Sequence, residues 1–333
     1  MRGPLFVDIL GLELNEQDRD LLAVPSVGGV TLFARNFASP SQLTELCAAV
    51  HACGDLKVAV DHEGGRVQRF IEGFTRLPGM AAVGAAGPQA LDLARSVGIV
   101  ISYELTAHGL DLSFVPVVDL QVADNLAIGT RAFSADPEHV AGCALALAEG
   151  LARGGLPAVA KHFPGHGSIR ADSHVELPMD ERTLADIERA DLIPFRRFAD
   201  AGAGAIMTAH IRFPAVSDEP ATFSPDWIQD VLRGRCGFDG VIFSDDISMQ
   251  AARSYGSVED CVIAALTAGC DVALVCNDWD KAMASAERLV ALNWQPSENW
   301  VRRMGDFWQP RAHSVSAAEY QSALQDLEPL LTH

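Results

Sequence analysis

Eight short apolar runs, most of them followed by an amphipathic stretch, restrict the folds open to this 333-residue chain. Apolar runs of this length are typical of parallel strands buried on both faces, and the amphipathic stretches are typical of the helices that connect them. Eight such units over roughly 280 residues match the length of a (β/α)8 barrel. The predicted strands are Leu5–Val7, Val30–Phe33, Lys57–Val60, Leu112–Val118, Pro157–Ala160, Ala205–Met207, Val241–Phe243 and Val272–Val275.

Residues that start and stop helices mark the stretches between these strands. Pro137 and Pro225 each follow a capping side chain, and glycine follows several helix ends, as at Gly202. The short tail beyond the last unit predicts one or two helices, too few for a second domain, so residues 1–333 are predicted to form one domain. The predicted helices are Gln42–Ala52, Pro88–His108, Pro137–Arg153, Leu184–Ala201, Pro225–Arg235, Val258–Thr267 and Lys281–Leu292.

A doubly wound open sheet is the competing architecture, and the polar residues at the strand ends discriminate between the two. In a barrel these residues converge on one rim, whereas in an open sheet only those near the switch point meet. Polar residues follow all eight strands, which favours an α/β fold with a single (β/α)8 TIM-type barrel. They are Asp8, Arg35, Asn36, Asp61, His62, Glu63, Asp119, Lys161, His162, His210, Asp245, Asp246 and Asn277.

Composition limits the partners and the compartment. A net charge of −19 argues against nucleic acid and anionic membranes as partners, because both require a positive surface. The seven cysteines are scattered without CxxC spacing, which is typical of a reducing compartment. There is neither a signal-peptide pattern nor an apolar run long enough to span a membrane. We expect a soluble, cytoplasmic monomer that binds a small or neutral ligand.

The stretch from Lys161 to His174, K-H-F-P-G-H-G-S-I-R-A-D-S-H, holds three of the ten histidines directly after a predicted strand. A proline and two glycines exclude a helix here. In a locally extended loop, side chains two apart lie on the same side, so Asp172 can accept a hydrogen bond from His174. This carboxylate would raise the pKa of His174 and make it a candidate proton donor near neutral pH. A structural brace for a turn is an equally good interpretation of the pair.

Zinc binding is a further interpretation of the same loop. Histidine and carboxylate side chains are zinc ligands, and His162, His166 and His174 with Asp172 supply enough of them for a catalytic site. However, the proline and glycine between His162 and His166 prevent the usual i, i+4 arrangement on a helix. We therefore predict no metal and no other cofactor, with zinc kept as the alternative.

Carboxylates also close two other predicted strands. Neighbouring residues on a strand point to opposite faces, so at most one of Asp245 and Asp246 faces the barrel mouth, and the alternation does not decide which. Asp61 precedes a double glycine that lets the backbone turn tightly or approach a ligand, and we interpret it as a contact for sugar hydroxyls. The sequence alone gives no reason to assign Arg69 and Arg131 to the site, because lone arginines usually form structural or surface ion pairs.

Four motifs together resemble glycoside hydrolase family 3: V-D-H-E-G-G-R-V-Q-R-F, K-H-F-P-G-H-G, A-D-S-H and F-S-D-D-I-S-M. More narrowly, the chain is similar to the cytoplasmic single-domain bacterial β-N-acetylglucosaminidases of peptidoglycan recycling. The resemblance spans nearly the whole chain and rests on separate motifs in the right order. One departure is His62, where the similar proteins usually carry glutamine.

The resemblance implies an exo-acting retaining β-N-acetylglucosaminidase that removes GlcNAc from muropeptide fragments. It implies that Asp245 is the nucleophile and forms a covalent glycosyl ester. It also implies that His174 is the general acid/base, with Asp172 as its partner. The residues that it places on the sugar are Asp61, Arg69, Arg131, Lys161 and His162.

Three other functions remain as alternatives at this point. A glycoside phosphorylase could use the same residues, because a histidine repels incoming phosphate less than a carboxylate would. A sugar-binding module without activity is a non-enzymatic alternative, although all the expected chemical residues are present. A zinc hydrolase is the third.

Overall fold

A computed structural model of the chain describes residues 2–122, 125, 127–167, 178–202, 204–311 and 314–331. Eight strands pair side by side in one parallel sheet, and each lies next to its neighbours in the chain. The first and last of these strands also pair with each other. The strands are β1 (Leu5–Val7), β2 (Val27–Leu32), β3 (Lys57–Val60), β4 (Leu112–Ser113), β5 (Val159–Phe163), β6 (Ala205–Thr208), β7 (Val241–Asp246) and β8 (Val272–Val275).

The sheet closes into a barrel between β4 and β5. The Val118 N–H donates to the Lys161 carbonyl at 2.8 Å, and the Val159 N–H donates to the Val115 carbonyl at 2.7 Å. Val117 also pairs with Lys161 in parallel register. An open doubly wound sheet would leave these two edges unpaired, so the prediction of an α/β fold with a (β/α)8 TIM-type barrel is confirmed.

Helices surround the barrel and follow its strands. Their N-termini use the capping residues that the sequence indicates, such as Asp136, which accepts a hydrogen bond from the Glu138 N–H at 3.1 Å. The longer helices are Glu16–Ala23, Pro40–Ala52, Ala90–Ala107, Pro137–Arg153, Leu192–Asp200, Val258–Ala268, Trp279–Ala291, Glu298–Phe307 and Ala317–Leu327, with a π-helical segment at Asp226–Arg235.

Shorter elements lie between the strands and the helices. Two hairpins extend from the barrel, one formed by His62–Gly64 with Val67–Gln68 and the other by Arg212–Phe213 with Ser217–Pro220. Short α-helices are found at Met80–Gly84, Leu184–Glu188 and Gln250–Arg253, and 3₁₀ turns at Ala34–Asn36, Gly87–Gln89, Gly129–Arg131, Ala221–Phe223 and Glu328–Leu330.

Aromatic side chains fill the barrel interior. The ring of Phe243, on β7, makes edge-on contacts with Phe6 at 5.8 Å and with Phe114 at 5.7 Å between ring centroids. Phe307 approaches the same ring from below at 5.9 Å. Edge-to-face pairs of this kind are a favourable arrangement of aromatic quadrupoles. The interior is therefore a packed core and not a channel, as is usual in such barrels.

The helix Glu298–Phe307 closes the amino-terminal end of the barrel. Its Trp300 indole N–H donates to the Asp271 carbonyl, immediately before β8, at 2.8 Å. Its Arg303 pairs with the Asp271 carboxylate at 2.9 Å. With this end covered, a ligand approaches the barrel interior from the carboxyl ends of the strands.

The fourth strand is shorter than predicted. The sequence predicts a strand over Leu112–Val118, whereas regular pairing covers Leu112–Ser113 and resumes only as a single bridge at Val117. Pro116 has no N–H to donate, so it interrupts the ladder of hydrogen bonds.

The predicted helix Leu184–Ala201 is in fact two helices, Leu184–Glu188 and Leu192–Asp200. Pro194 lies in the first turn of the second helix, where its missing N–H has no intrahelical partner to lose. In the middle of one continuous helix the same proline would break a hydrogen bond. The prediction of a single helix was therefore wrong.

The helix Glu16–Ala23 has no counterpart in the predictions. Its capping box is visible in the sequence: the Asn15 side chain accepts from the Asp18 N–H at 2.8 Å, and the Asp18 carboxylate accepts from the Asn15 N–H at 3.1 Å. Its polar composition hides the apolar periodicity on which the other helices were predicted.

Within the described ranges, no helix is long and apolar enough to cross a membrane. The seven cysteines are all unpaired, and six of them are buried. They therefore pack as small apolar side chains. The assignment of the whole chain to one domain stays a prediction.

Candidate active site

A cleft of about 630 Å³ opens at the carboxyl ends of the barrel strands. Six of the eight predicted site residues line it, so polar residues from several strand ends converge as the barrel interpretation requires. The other two, Asp172 and His174, lie outside the described residues. The lining residues with predicted roles are Asp61, Arg69, Arg131, Lys161, His162 and Asp245.

Lys161 is the centre of a buried charge network on one wall of the cleft. Its Nζ lies 2.7 Å from Asp61 Oδ1 and 2.7 Å from Glu63 Oε1, and its side chain is only 2% exposed. Burial acts to lower the pKa of Lys161, but the two carboxylates outweigh burial, and the net pKa is raised. The ammonium group therefore stays charged and holds both acidic side chains in place.

Glu63 joins Lys161 to Arg131. The Arg131 guanidinium makes a bidentate contact with the Glu63 carboxylate, with Nη2 at 2.7 Å from Oε1 and Nε at 2.8 Å from Oε2. Burial acts to raise the pKa of Glu63, yet the two cations hold it well below its ordinary value. Glu63 was not among the predicted site residues. Its position two residues after Asp61 could have indicated it, because an extended backbone puts the side chains of residues two apart on the same side.

Asp61 lies between Lys161 and Arg69. The Arg69 Nη2 is 3.5 Å from Asp61 Oδ2, on the side opposite the lysine contact. The Asp61 side chain is 24% exposed, so its oxygens remain accessible from the cleft. A fixed carboxylate with accessible lone pairs can accept hydrogen bonds from ligand hydroxyls, as its sequence context predicts.

Asp245 ends β7 on the floor of the cleft. Its carboxylate accepts the Asp246 backbone N–H at 2.8 Å. Burial acts to raise its pKa, but His162, His210 and that N–H outweigh burial, so the pKa of Asp245 is lowered from its ordinary value. A carboxylate that is ionised, partly exposed and open to the cleft is suited to nucleophilic attack.

Asp246 also borders the cleft, but its carboxylate is occupied with the following turn. It accepts hydrogen bonds from the Ser248 N–H at 2.9 Å, the Ser248 hydroxyl at 2.7 Å and the Cys276 N–H at 3.0 Å. Burial raises its pKa to about 6, against the effect of these donors. The two adjacent carboxylates thus differ in their contacts: that of Asp246 caps a turn, whereas that of Asp245 faces the cleft.

His162 contributes its ring to the cleft and is held from behind. Its Nδ1 lies 2.7 Å from Oδ2 of the buried Asp119. The other oxygen of Asp119 accepts the His166 backbone N–H at 2.6 Å. Asp119 was predicted only as one of the polar residues on the rim, and nothing in its local sequence indicates that it pairs with a histidine 43 positions away.

Two histidines on the rim have surroundings that are typical of structural residues. His62 is fully buried, and its ring packs against Phe70 and Phe74 at 5.7 Å from each. Burial and the nearby Arg69 lower the pKa of His62 to about 3, so this ring is neutral. His210 stacks on Phe223, and its Nε2–H donates to the Asp246 carbonyl at 3.1 Å.

The described stretches of the chain contain no group of three or more His, Cys, Asp or Glu side chains placed to hold a metal ion. The zinc interpretation also needs Asp172 and His174, which fall outside those stretches. Its test is chemical, by activity after treatment with a chelator.

The fold and the cleft together define a class of protein. A barrel whose open rim presents an ionised carboxylate, surrounded by fixed charges that can bind hydroxyls, fits the class of glycoside hydrolases. Residues 5–299 match the model of the glycosyl hydrolase family 3 N terminal domain, and the chain belongs to this family.

Curated relatives match most of the chain. The β-hexosaminidase of Nitrosomonas eutropha is 52% identical over 299 residues, which cover 88% of this chain and 85% of the relative. The β-hexosaminidase of Chromobacterium violaceum is 48% identical over 340 residues, with coverage of 98% and 94%.

Solved structures share the fold at lower sequence identity. NagZ from Neisseria gonorrhoeae in complex with N-trifluoroacetyl-D-glucosamine has a TM-score of 0.90 and 40% identity, covering 99% of this chain and 98% of that one. A family 3 β-N-acetylglucosaminidase from Paenibacillus has a TM-score of 0.90 and 32% identity, and matches 98% of this chain but 67% of its own length.

Proposed function

We propose that the protein is an exo-acting, retaining β-N-acetylglucosaminidase that removes a terminal GlcNAc through a covalent intermediate on Asp245. The observation that carries the proposal is the environment of this carboxylate, which is ionised and open to the cleft while its neighbour Asp246 is engaged in a turn. The β-hexosaminidase relatives and the N-acylglucosamine bound by the Neisseria protein support the same substrate class.

In the first half-reaction an Asp245 oxygen attacks C1 of the sugar. A bond forms between this oxygen and C1 as the bond from C1 to the leaving oxygen breaks. Protonated His174 gives its proton to that oxygen, so the aglycone departs as a neutral alcohol. Asp172 is the proposed partner that keeps His174 protonated near neutral pH.

In the second half-reaction, neutral His174 takes a proton from water as the water oxygen attacks C1. The ester bond to Asp245 breaks and the carboxylate is restored. Two inversions at C1 leave the product in the β configuration. Each residue ends the cycle in its starting protonation state, so no further reactant is needed.

The sugar itself is held by the charged wall of the cleft in this proposal. Asp61 accepts hydrogen bonds from hydroxyls, while Arg69, Arg131 and Lys161 donate. His162 contributes the nitrogen that faces the cleft. Because Lys161 and Arg131 are already fixed by Glu63, these donors are oriented before the sugar arrives, which lowers the entropic cost of binding.

We propose a peptidoglycan fragment as the natural substrate, with GlcNAc linked to 1,6-anhydro-MurNAc that carries or lacks a peptide. The motif resemblance to the enzymes of peptidoglycan recycling supports this choice. We also propose that the protein acts in the cytoplasm, which its seven unpaired cysteines support. That it acts as a single-domain monomer remains a prediction.

Two substrates test the proposal. The wild type should release p-nitrophenol from p-nitrophenyl N-acetyl-β-glucosaminide, and Asp245→Ala should not. The wild type should also cleave GlcNAc-1,6-anhydro-MurNAc, with a large loss of rate in His174→Ala. Failure of the first assay would refute the activity, and failure of the second alone would refute the natural substrate. A sugar phosphate product in phosphate buffer would identify a phosphorylase instead.

A further inference from the structure

Asp119 is a buried carboxylate that the mechanism above does not use. It follows β4, is 1% exposed and is not part of the cleft lining. Three N–H groups converge on it: His162 Nδ1 at 2.7 Å and the His162 backbone nitrogen at 3.2 Å from Oδ2, and the His166 backbone nitrogen at 2.6 Å from Oδ1. A buried charge is costly unless it is fully hydrogen-bonded, so this arrangement needs an explanation.

The proton between Asp119 and His162 belongs to the histidine. Burial acts to raise the pKa of Asp119, but His162 and His166 outweigh burial and lower it, so the group is ionised. An ionised carboxylate only accepts hydrogen bonds. The 2.7 Å contact therefore requires a hydrogen on His162 Nδ1.

A fixed Nδ1–H determines what the opposite nitrogen can do. In the neutral ring, Nε2 then carries the lone pair and accepts a hydrogen bond, and in the doubly protonated ring it donates one. The charged or titratable groups that face this ring are Asp119, His166, Asp245 and His210, with Lys161 next to it in the chain. His162 lines the cleft, so Nε2 is its nitrogen available to a ligand.

We propose that Asp119 is a positioning residue that fixes both the orientation and the tautomer of His162, so that Nε2 meets the sugar in one defined state. The other oxygen of Asp119 accepts the His166 backbone N–H, so the carboxylate itself is held from both sides. This inference rests on the proposed function, in which His162 contacts the sugar.

Asp119→Asn tests the tautomer directly. Asparagine has one oxygen and one NH₂ group, so it cannot accept all three hydrogen bonds. With its oxygen on the His166 N–H, its NH₂ faces His162 Nδ1 and donates to it, which forces the neutral ring into the Nε2–H form. Long-range ¹H–¹⁵N correlation spectra of histidine-labelled protein report this state, and His162→Gln assigns the signal. We expect Nδ1–H in the wild type and Nε2–H, or a mixture, in the variant.

Kinetics in two backgrounds separate positioning from general structural support. Asp119→Asn should lower kcat/KM for p-nitrophenyl N-acetyl-β-glucosaminide about 10- to 100-fold, the range expected for losing one well-oriented hydrogen bond. In the His162→Gln background the same substitution should cost less than about threefold, because the residue through which it acts is gone. A purely structural role would give the same factor in both backgrounds.

Asp271→Asn is the matched control. Asp271 is also a buried carboxylate with several donors, among them the Ile242 N–H at 3.0 Å, but it lies at the opposite end of the barrel. The Asp271→Asn substitution should lower the melting temperature without changing the NMR signal of His162.

Two results would overturn the inference: an Nε2–H tautomer in the wild type, or equal kinetic factors in the two backgrounds. The wild-type spectrum decides the tautomer even if Asp119→Asn does not fold. If neither the wild type nor any variant cleaves the substrate, the proposed function is refuted. The wild-type spectrum still tests the pairing of Asp119 with His162 in that case.

Discussion

Asp245 and Asp246 are consecutive residues at the end of β7, yet their surroundings move the pKa values of the two carboxyls in opposite directions. Burial acts to raise both values. For Asp245 the interactions with His162, His210 and the Asp246 N–H outweigh burial, whereas for Asp246 burial prevails and the charge of Asp245 adds to it. One carboxyl is therefore ionised throughout the neutral range, and the other titrates at about 6.

The first prediction concerns activity. Asp245→Asn should lower kcat at least about 10³-fold, because the amide is a poor nucleophile and cannot form the glycosyl ester. Asp246→Asn should stay within about tenfold of the wild type, because its side chain serves a turn. Initial rates with p-nitrophenyl N-acetyl-β-glucosaminide measure both.

A trapping experiment shows whether the intermediate is covalent. A 2-fluoro glycosyl donor should label the wild type on the peptide that contains Asp245, and Asp246→Asn should be labelled at the same position. An unlabelled wild type that is still active would indicate attack by the acetamido group of the substrate, with the carboxylate only orienting it.

The second prediction links Asp246 to stability. Its pKa is about 6 in the folded protein and 3.8 in the reference state. Well below pH 3.8 the group is protonated in both states; the stability that its proton contributes to the folded state, about 3 kcal/mol, is lost as the pH rises through 6, where the folded protein must ionise it against burial. The free energy of unfolding of the wild type relative to Asp246→Asn should therefore fall between pH 4 and pH 7 in urea titrations.

Asp245→Asn provides the control for this pH dependence. Its folded-state pKa is lowered, so its ionisation contributes stability that is lost as the pH falls, not as it rises. Because the charge of Asp245 also raises the pKa of Asp246, the difference between the wild type and this variant should fall less over the same range than the difference relative to Asp246→Asn. Equal falls in the two differences would show that the titration of Asp246 is not their cause.

The sequence predicts the barrel and much of the cleft because both follow from local patterns. Each apolar run is a strand, and the polar residue that ends it lies on the rim in every parallel barrel. Asp61, Lys161 and Asp245 are found in one cleft for this reason. Their convergence needs only the strand assignments and the closure of the sheet.

Local patterns do not predict which side chains from different strands contact each other. The contact of Arg131 with Glu63 joins residues 68 positions apart, and that of His162 with Asp119 joins residues 43 apart. Charges of both signs are frequent in this chain, so spacing alone does not select a pair. Alternation on a strand likewise leaves Asp245 and Asp246 equivalent until the contacts of Ser248 with one of them are known.

The third prediction concerns the buried charge network. Glu63→Gln leaves Lys161 and Arg131 without their shared carboxylate charge, although their side chains are only 2% and 14% exposed. Removing one member of a buried ion pair typically costs about 3–5 kcal/mol, and urea unfolding should show a loss of this size. KM should rise as well, because Arg131 loses its bidentate carboxylate partner and Lys161 loses one of its two carboxylate partners.

Glu138→Gln is the matched control, because Glu138 pairs with Arg197 at 2.9 Å while both side chains are more than half exposed. Solvent screens this pair, so the substitution should have little effect on unfolding or on KM. If Glu63→Gln and Glu138→Gln lower the free energy of unfolding by similar amounts, burial is not the reason that Glu63 contributes to stability.

The fourth prediction tests the proposed pairing of Asp172 with His174 by pH dependence. Activity should fall at alkaline pH as His174 loses the proton that it gives to the leaving oxygen. A carboxylate beside a histidine favours the protonated ring, so Asp172→Ala should move the alkaline limb of kcat/KM to lower pH, by about one unit. Asp172→Asn should move it in the same direction, because it removes the charge but keeps the size of the side chain. An alkaline limb that stays in place in both variants would refute the dyad, while the nucleophilic role of Asp245 would stand on its own trapping experiment.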